Sequence, residues 1–503
     1  MATFRLIVLL GCLVFRPGAF AQPVQMHVTL EEIARKARER AEKPFQPPKS
    51  DLPREVRELN YDSYREIHFR HDKALWAKEA LPFRLEFFHP GYLYTTPVQI
   101  HEFTATHAQP IRFVDDFFDY GKNKFAKKIP ADAGYAGFKL SFPLSGPESW
   151  EEVASFLGAS YFRMLGQNQR YGASARGLAI DSGEPDVKEE FPTFTDWWIG
   201  KPEKGLNTLR LYAILDSPSC AGAYEFLFRP GATTVADVSV VLFMRTNAAK
   251  TLGLAPLTSM FWFGENSENK PNDYRAEVHD SDGLLIRSGE EEFIWCPLNP
   301  SAALRHQTYP MTACRGFGLL QRDRAFSHYE DMFNLYQKVP SVWVEPRGNW
   351  SDGEVHLVEL PTKSEAEDNI VAFWNPKEKP TPMQPYRFAY TLYWSERHDE
   401  KFAPSKVLQT RIGAIPGAPE KRQVMIDFAW KENIAETPVA KTDCTESATV
   451  TDVQVFKNEL SRSWRVIFNL AAKKGNSESA RLSCTLTAAN KPISETWSYL
   501  WNP

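Results

Sequence analysis

Apolar and polar residues alternate with a period of two along much of this chain, and that pattern limits its folds more than any other feature. Leu209-Arg210-Leu211-Tyr212-Ala213-Ile214-Leu215, Val238-Ser239-Val240-Val241-Leu242-Phe243 and Phe388-Ala389-Tyr390-Thr391-Leu392-Tyr393-Trp394 all carry it. Successive side chains of a strand point to opposite faces, so such runs fit strands with one face buried. Their spacing, broken by Gly, Pro and Asn, favours antiparallel sheets packed face to face, and the expected class is all-β. Two segments read differently. Leu30 to Ala41 places apolar or small residues at helical spacing among Glu and Arg, ahead of the Pro-rich run Pro44–Pro53. Ser149 to Phe156 reads as a second helix, entered through Gly146-Pro147.

A chain of 503 residues exceeds one ordinary core and implies two domains. The stretch from Asn375 to Pro385 holds four prolines in eleven residues, so it cannot be a central strand and reads as an extended spacer. A large β domain is therefore expected over residues 22–375, a Pro-rich linker over 376–385 and a small domain over 386–503. About seven short strand-like runs after the linker fit an immunoglobulin-like sandwich.

The first residues read as a targeting segment. Arg5 supplies a positive start, Leu6 to Phe15 is apolar, and Ala19-Phe20-Ala21 has the small-x-small form of a cleavage site, which assigns residues 1–21 to a signal peptide. The apolar run is too short to span a bilayer, and no later segment is long and apolar enough to cross one. Export without stable membrane insertion is the expectation. A net charge of −4 gives no basic field, so no nucleic-acid partner is expected. No CxxC pair, HExxH or P-loop occurs, and Gly316-Phe317-Gly318 opens a broken dinucleotide fingerprint, so neither metal nor cofactor is expected. Of the five cysteines after residue 21, Cys444 and Cys484 form the best candidate disulfide pair, both lying in strand-like contexts near the C-terminus.

Chemistry concentrates between residues 274 and 374. Tyr274 to Gly283, Gln321 to Asp331 and Glu367 to Trp374 set carboxylates among aromatic and basic residues. Aromatic rings stack on sugar faces and carboxyl groups transfer protons, so this mixture suits carbohydrate chemistry. Asp280-Ser281-Asp282-Gly283 also reads as a polar hairpin turn, because Asp-Gly is a common turn pair.

Several longer motifs carry a resemblance. They include Leu59-Asn60-Tyr61-Asp62-Ser63-Tyr64-Arg65, Glu86-Phe87-Phe88-His89-Pro90-Gly91, Gly158-Ala159-Ser160-Tyr161-Phe162-Arg163 and Tyr171-Gly172-Ala173-Ser174-Ala175-Arg176. Further on come Ala255-Pro256-Leu257-Thr258-Ser259-Met260-Phe261, Glu277-Val278-His279-Asp280-Ser281-Asp282 and Trp343-Val344-Glu345-Pro346-Arg347. In this order the chain resembles the periplasmic glucan biosynthesis family, the MdoG/OpgG and OpgD proteins of osmoregulated periplasmic glucan production. The resemblance implies a large galactose-mutarotase-like β-sandwich joined to a small immunoglobulin-like one, located in the periplasm. It implies an inverting endo-β-1,2-glucanase in which Asp368 is the general acid and Asp280 the general base. Tyr336, with His279 and His328, would bind substrate, and Asp282 would be a turn residue pointing away. Two alternatives from other classes remain: a non-catalytic factor that binds and guides glucan from a membrane glucan synthase, and a transglycosylase acting on β-1,2-glucan.

Overall fold

The computed structural model describes residues 27–246, 248–289, 292–299, 302–396, 405–430, 436–473 and 478–503. The expected signal peptide, residues 1–21, lies outside them. Strands dominate, as the period-two pattern requires, and the fold is all-β.

Two large sheets face each other across an apolar core. The first runs Arg84–Phe88, Gly137–Phe142, Glu151–Leu157, Tyr161–Met164, Ser174–Arg176, Leu252–Ser259, Ile370–Pro376, Ser351–Glu359, and ends on the first half of Arg305–Leu320. The second contains Thr193–Gly200, Leu209–Asp216, Cys220–Arg229, Thr234–Met244, Tyr386–Ser395 and Ser341–Arg347, then the second half of Arg305–Leu320. Gly283–Ser288 and Glu292–Pro297 extend it. Arg305–Leu320 thus leaves one sheet and enters the other, pairing with Ser351–Glu359 as far as Ala313 and with Gly283–Ser288 from Cys314.

Leu30–Ala41 is a helix, capped by the Thr29 side chain accepting from Glu32 N–H. Its small buried face (Ile33, Ala34, Ala37 and Ala41) packs on Trp198, Ile214, Ala223 and Val241, covering the outer face of the second sheet. Residues Glu151–Leu157 form a strand, not the expected helix. Val153 and Ala154 are both buried because the strand bulges at Val153, which has no partner between the Leu140–Ala154 and Ser141–Glu152 pairs, and this breaks the alternation.

The expected domain boundary moves. Pro376 ends a strand of the first sheet and Tyr386 opens a strand of the second, so residues 376–385 cross between the sheets of one unit. Met383 N–H donates to the Met244 carbonyl on the way. Tyr386–Ser395 pairs on both sides within the large unit, and the second unit begins in the described residues at Ser405. There Val407–Ile415, Ala418–Ala429, Ser463–Ala472 and Ala448–Asn458 form one sheet. Thr496–Trp501, Ala480–Ala488 and Val439–Cys444 form the facing one. Cys444 and Cys484 are unbridged: Cys444 lies opposite Leu482 and Cys484 opposite Thr442.

The two units share a sheet edge and a guanidinium. Trp295 pairs in parallel with Trp497. Arg322 donates to both oxygens of Glu495, at 2.8 and 3.0 Å, and to the Val407 carbonyl at 2.8 Å, while lying 3.6 Å from the centre of the Trp295 ring. Glu495 is only 3% exposed and also accepts from Val407 N–H at 2.9 Å. Arg322→Ala is expected to cost about 3–5 kcal/mol in urea unfolding, because it leaves a buried carboxylate without its cationic partner. A loss under about 1 kcal/mol would show that the junction does not rest on this pair.

Candidate active site

At one end of the first sheet the strands Ser174–Arg176, Leu252–Ser259 and Ile370–Pro376 stop together, with Ser174 opposite Thr258 and Ile370 opposite Ser259. The residues just beyond these ends build the site. Asp368 lies two positions before Ile370, and Asp280 is tied to Met260, just after Ser259, by its N–H donating to the Met260 carbonyl at 2.8 Å. Asn369 locks the two segments together. Its amide oxygen accepts from Phe261 N–H at 2.8 Å, and its NH2 donates to the Phe261 and Leu360 carbonyls at 3.0 and 3.1 Å.

Asp280 is 8% exposed. Burial, and then the negative charge of Asp368, push its carboxyl up to about 7. Asp368 is more open, with its side chain 29% exposed, and pairs with Arg163 at 3.4 Å. Ser174 Oγ also donates to it at 3.4 Å while contacting Thr258 Oγ1 at 2.9 Å. Gly172 borders Asp280: a Cβ there would meet Val339 Cγ1 at 2.2 Å and Asp280 Oδ1 at 2.9 Å, so no side chain fits. The neighbouring Glu367 accepts from Thr362 Oγ1 at 2.9 Å.

Tyr336 lies on the opposite lip. Its hydroxyl donates to Glu365 at 2.8 Å, and burial followed by that carboxylate and the charge of Asp280 hold its phenol well above the usual range. Arg275 donates to Glu365 at 2.7 Å and to Asp331 at 2.8 Å, fixing the lip from below. The structure therefore brings Asp280, Asp368 and Tyr336 to one place and adds Arg163, Ser174, Glu365, Arg275 and Asn369, none of which the sequence reading assigned a role.

His279 and His328 sit elsewhere. His279 is 1% exposed, clasped between Phe261 and Tyr329. Its Nε2–H donates to Glu277 at 3.0 Å and its Nδ1–H to Gln321 Oε1 at 3.0 Å, so it has no free atom for a substrate. His328 Nδ1 faces the other oxygen of Glu277 at 3.3 Å and Asp323 at 3.5 Å. Asp282 is not a solvent-facing turn residue either: it accepts the backbone N–H groups of Arg322 and Asp323. Both histidines thus bond Glu277 in a cluster behind Asp280, His279 buried within it and His328 half-buried at its edge.

Glu277, His279, Asp282 and Asp323 place one ligand-type atom each within 4.8 Å of one another, around a cavity of about 30 Å³ that also touches Glu265 and Val407–Thr410 of the second unit. Hydrogen bonds and neighbouring charges shift the titrating groups of this cluster. Burial alone would raise Glu277, but the bonds from His279 and His328 outweigh it and hold the carboxyl well below the usual range. Burial opposes charge on His279, yet Asp282 and Glu277 raise it; His328 is raised by its bond to Glu277. Burial, with the charges of Asp282 and Glu277, drives Asp323 well above the usual range.

Comparison with known proteins matches residues 28–501 to the family described as "Periplasmic glucan biosynthesis protein, MdoG". The chain belongs to this periplasmic glucan biosynthesis family. It is 41% identical over 485 residues to glucans biosynthesis protein G of Pseudomonas paraeruginosa (strain DSM 24068 / PA7), covering 94% of this chain and 92% of that one. It is 42% identical over 488 residues to the protein of the same name from Ralstonia nicotianae (strain ATCC BAA-1114 / GMI1000), covering 94% and 96%. The family description names the periplasm, and no helix among the described residues is long and apolar enough to cross a membrane.

The cluster behind Asp280 gives this family member a pH signature. The depressed Glu277 stabilises the fold above its unfolded value of about 4.5, and this is lost as pH falls toward its folded value. The raised histidines stabilise it below about 6.5, and this is lost as pH climbs through their folded values. The melting-temperature gap between the wild type and Glu277→Gln should be widest between these two values and narrow on either side. A gap independent of pH would contradict the ion-pair assignment.

Proposed function

We propose that this protein is an inverting endo-β-1,2-glucanase of the periplasm, carried there by residues 1–21 as a signal peptide, with Asp368 as general acid and Asp280 as general base. The observation that carries the reading is the pairing of two carboxyls with unlike surroundings at one cleft. One is buried and raised to about 7; the other is open and paired with Arg163. Inversion needs two such groups, one protonating the leaving oxygen and one drawing a proton from water on the far side of the sugar. In this reading Asp368 donates to the glycosidic oxygen and Asp280, once ionised, takes the proton of the attacking water, directly or through a substrate hydroxyl beside Tyr336. The glucan it acts on would come from a membrane synthase. Asp368→Asn should lower glucan cleavage at least about a hundredfold while leaving the fold intact, the scale of a lost proton donor. Retention of near wild-type cleavage removes Asp368 from the mechanism.

The surroundings also favour a second reading, with the roles exchanged. A buried carboxyl with a raised pKa is the usual general acid, and one beside a guanidinium is the usual base. The pH dependence of kcat/KM separates the two. If Asp280 is the base, activity rises with pH through about 7, because the carboxylate is the working form. If Asp280 is the acid, activity falls through the same value.

A further inference from the structure

Three large apolar side chains stand out from the lip that Tyr336 and Glu365 form. Phe333 is 92% exposed, Tyr274 76% and Met332 71%. Tyr274 adjoins Arg275 and Met332 adjoins Asp331, and the Arg275–Asp331 ion pair at 2.8 Å brings the two segments side by side. The loop that carries Phe333 is rigidly held. Asp331 Oδ1 accepts from the backbone N–H groups of Phe333 and Asn334, both at 2.8 Å. Asn334 Nδ2 donates to Asp331 at 3.1 Å and to Tyr336 Oη at 3.3 Å, and Tyr336 and Arg275 meet again on Glu365. Both ends of the loop are left-handed at residues other than glycine, Glu330 at φ 52° and Leu335 at φ 54°. Strain of that kind persists only where the surroundings impose it, and it collects at ligand sites. The Phe333 ring is almost wholly in water and adds little to the apolar core.

We propose that Phe333, with Tyr274 and Met332 beside it, is a sugar-stacking subsite for glucose units that leave the cleft past Tyr336 and Glu365. This rests on the glucan reading above and deepens it. A pyranose presents a face of C–H groups that packs on an aromatic ring while its hydroxyls remain in water. The local charge favours a neutral chain: Asp273, Asp331 and Glu365 surround a single Arg275, an arrangement that repels anionic ligands. Continuity with the cleft selects a glucan over a second copy of the chain, because the residues that hold the loop are the same ones that border the carboxylate pair.

The test measures binding of long linear β-1,2-glucan and of a short β-1,2-glucooligosaccharide by calorimetry, in an Asp368→Asn background that blocks turnover. Phe333→Ala should weaken long-chain binding about tenfold and leave the short oligosaccharide unchanged. Phe333→Trp should restore the long-chain affinity and Phe333→Leu should not, which separates ring stacking from general apolarity. Melting temperatures should not differ, given the exposure of the ring. Long-chain binding unchanged by Phe333→Ala overturns the subsite and leaves the glucanase reading standing, as does a change in oligomeric state without a change in glucan binding. A parent that binds neither glucan overturns both.

Discussion

The amide of Asn369 fixes where the two carboxylates of the candidate site stand. Its three hydrogen bonds join the Asp368 segment to the Phe261 segment, which holds Asp280 through the Met260 carbonyl. Asn369 is 4% exposed, so those bonds form away from water and any other side chain would strand buried backbone groups. Two carboxylates that arrive from distant parts of the chain are thereby fixed at one sheet end. Gly172 then lets the neighbouring segment close against Asp280, and that burial raises its pKa.

The segment Gln321-Arg322-Asp323 ties this site to the rest of the molecule. The Gln321 side chain donates to the backbone carbonyls of His279 and Tyr336 while accepting from the His279 ring. Arg322 reaches in the other direction to Glu495 of the second unit, and Asp323 enters the acidic cluster behind Asp280. Thr410 N–H of the second unit donates to Glu265 at 2.6 Å on the far wall of the same cavity, and burial pushes that carboxyl up to about 7. The small sandwich therefore packs against the wall that supports the proposed base, and displacing it would expose the cluster to water.

The strands and the first helix were legible because burial on one face leaves a period in the sequence. Leu30–Ala41 has the bounds that its spacing predicts. Pro376 ends a strand and residues 377–385 hold none, but composition cannot say which elements a connection joins, so a crossing between two sheets reads as a linker between domains. Glu151–Leu157 departs from the strand pattern because a bulge within it, at Val153, breaks the alternation. Within the site, Asp280 and Asp368 were reached through motif resemblance and not through spacing. Arg163 and Ser174 were given no role because they meet Asp368 across 205 and 194 residues of chain. His279 misled for a local reason. It is the last residue of the strand Val278–His279, and side chains alternate there, so the residue beside Asp280 faces the opposite side.

The account stands on the claim that this carboxylate pair hydrolyses glucan with inversion. Proton NMR of the first products from purified protein and linear β-1,2-glucan tests it most directly. New reducing ends should appear first in the α configuration and then mutarotate toward equilibrium. Reducing ends that appear first as the β anomer, or no new reducing ends at all, would contradict the claim.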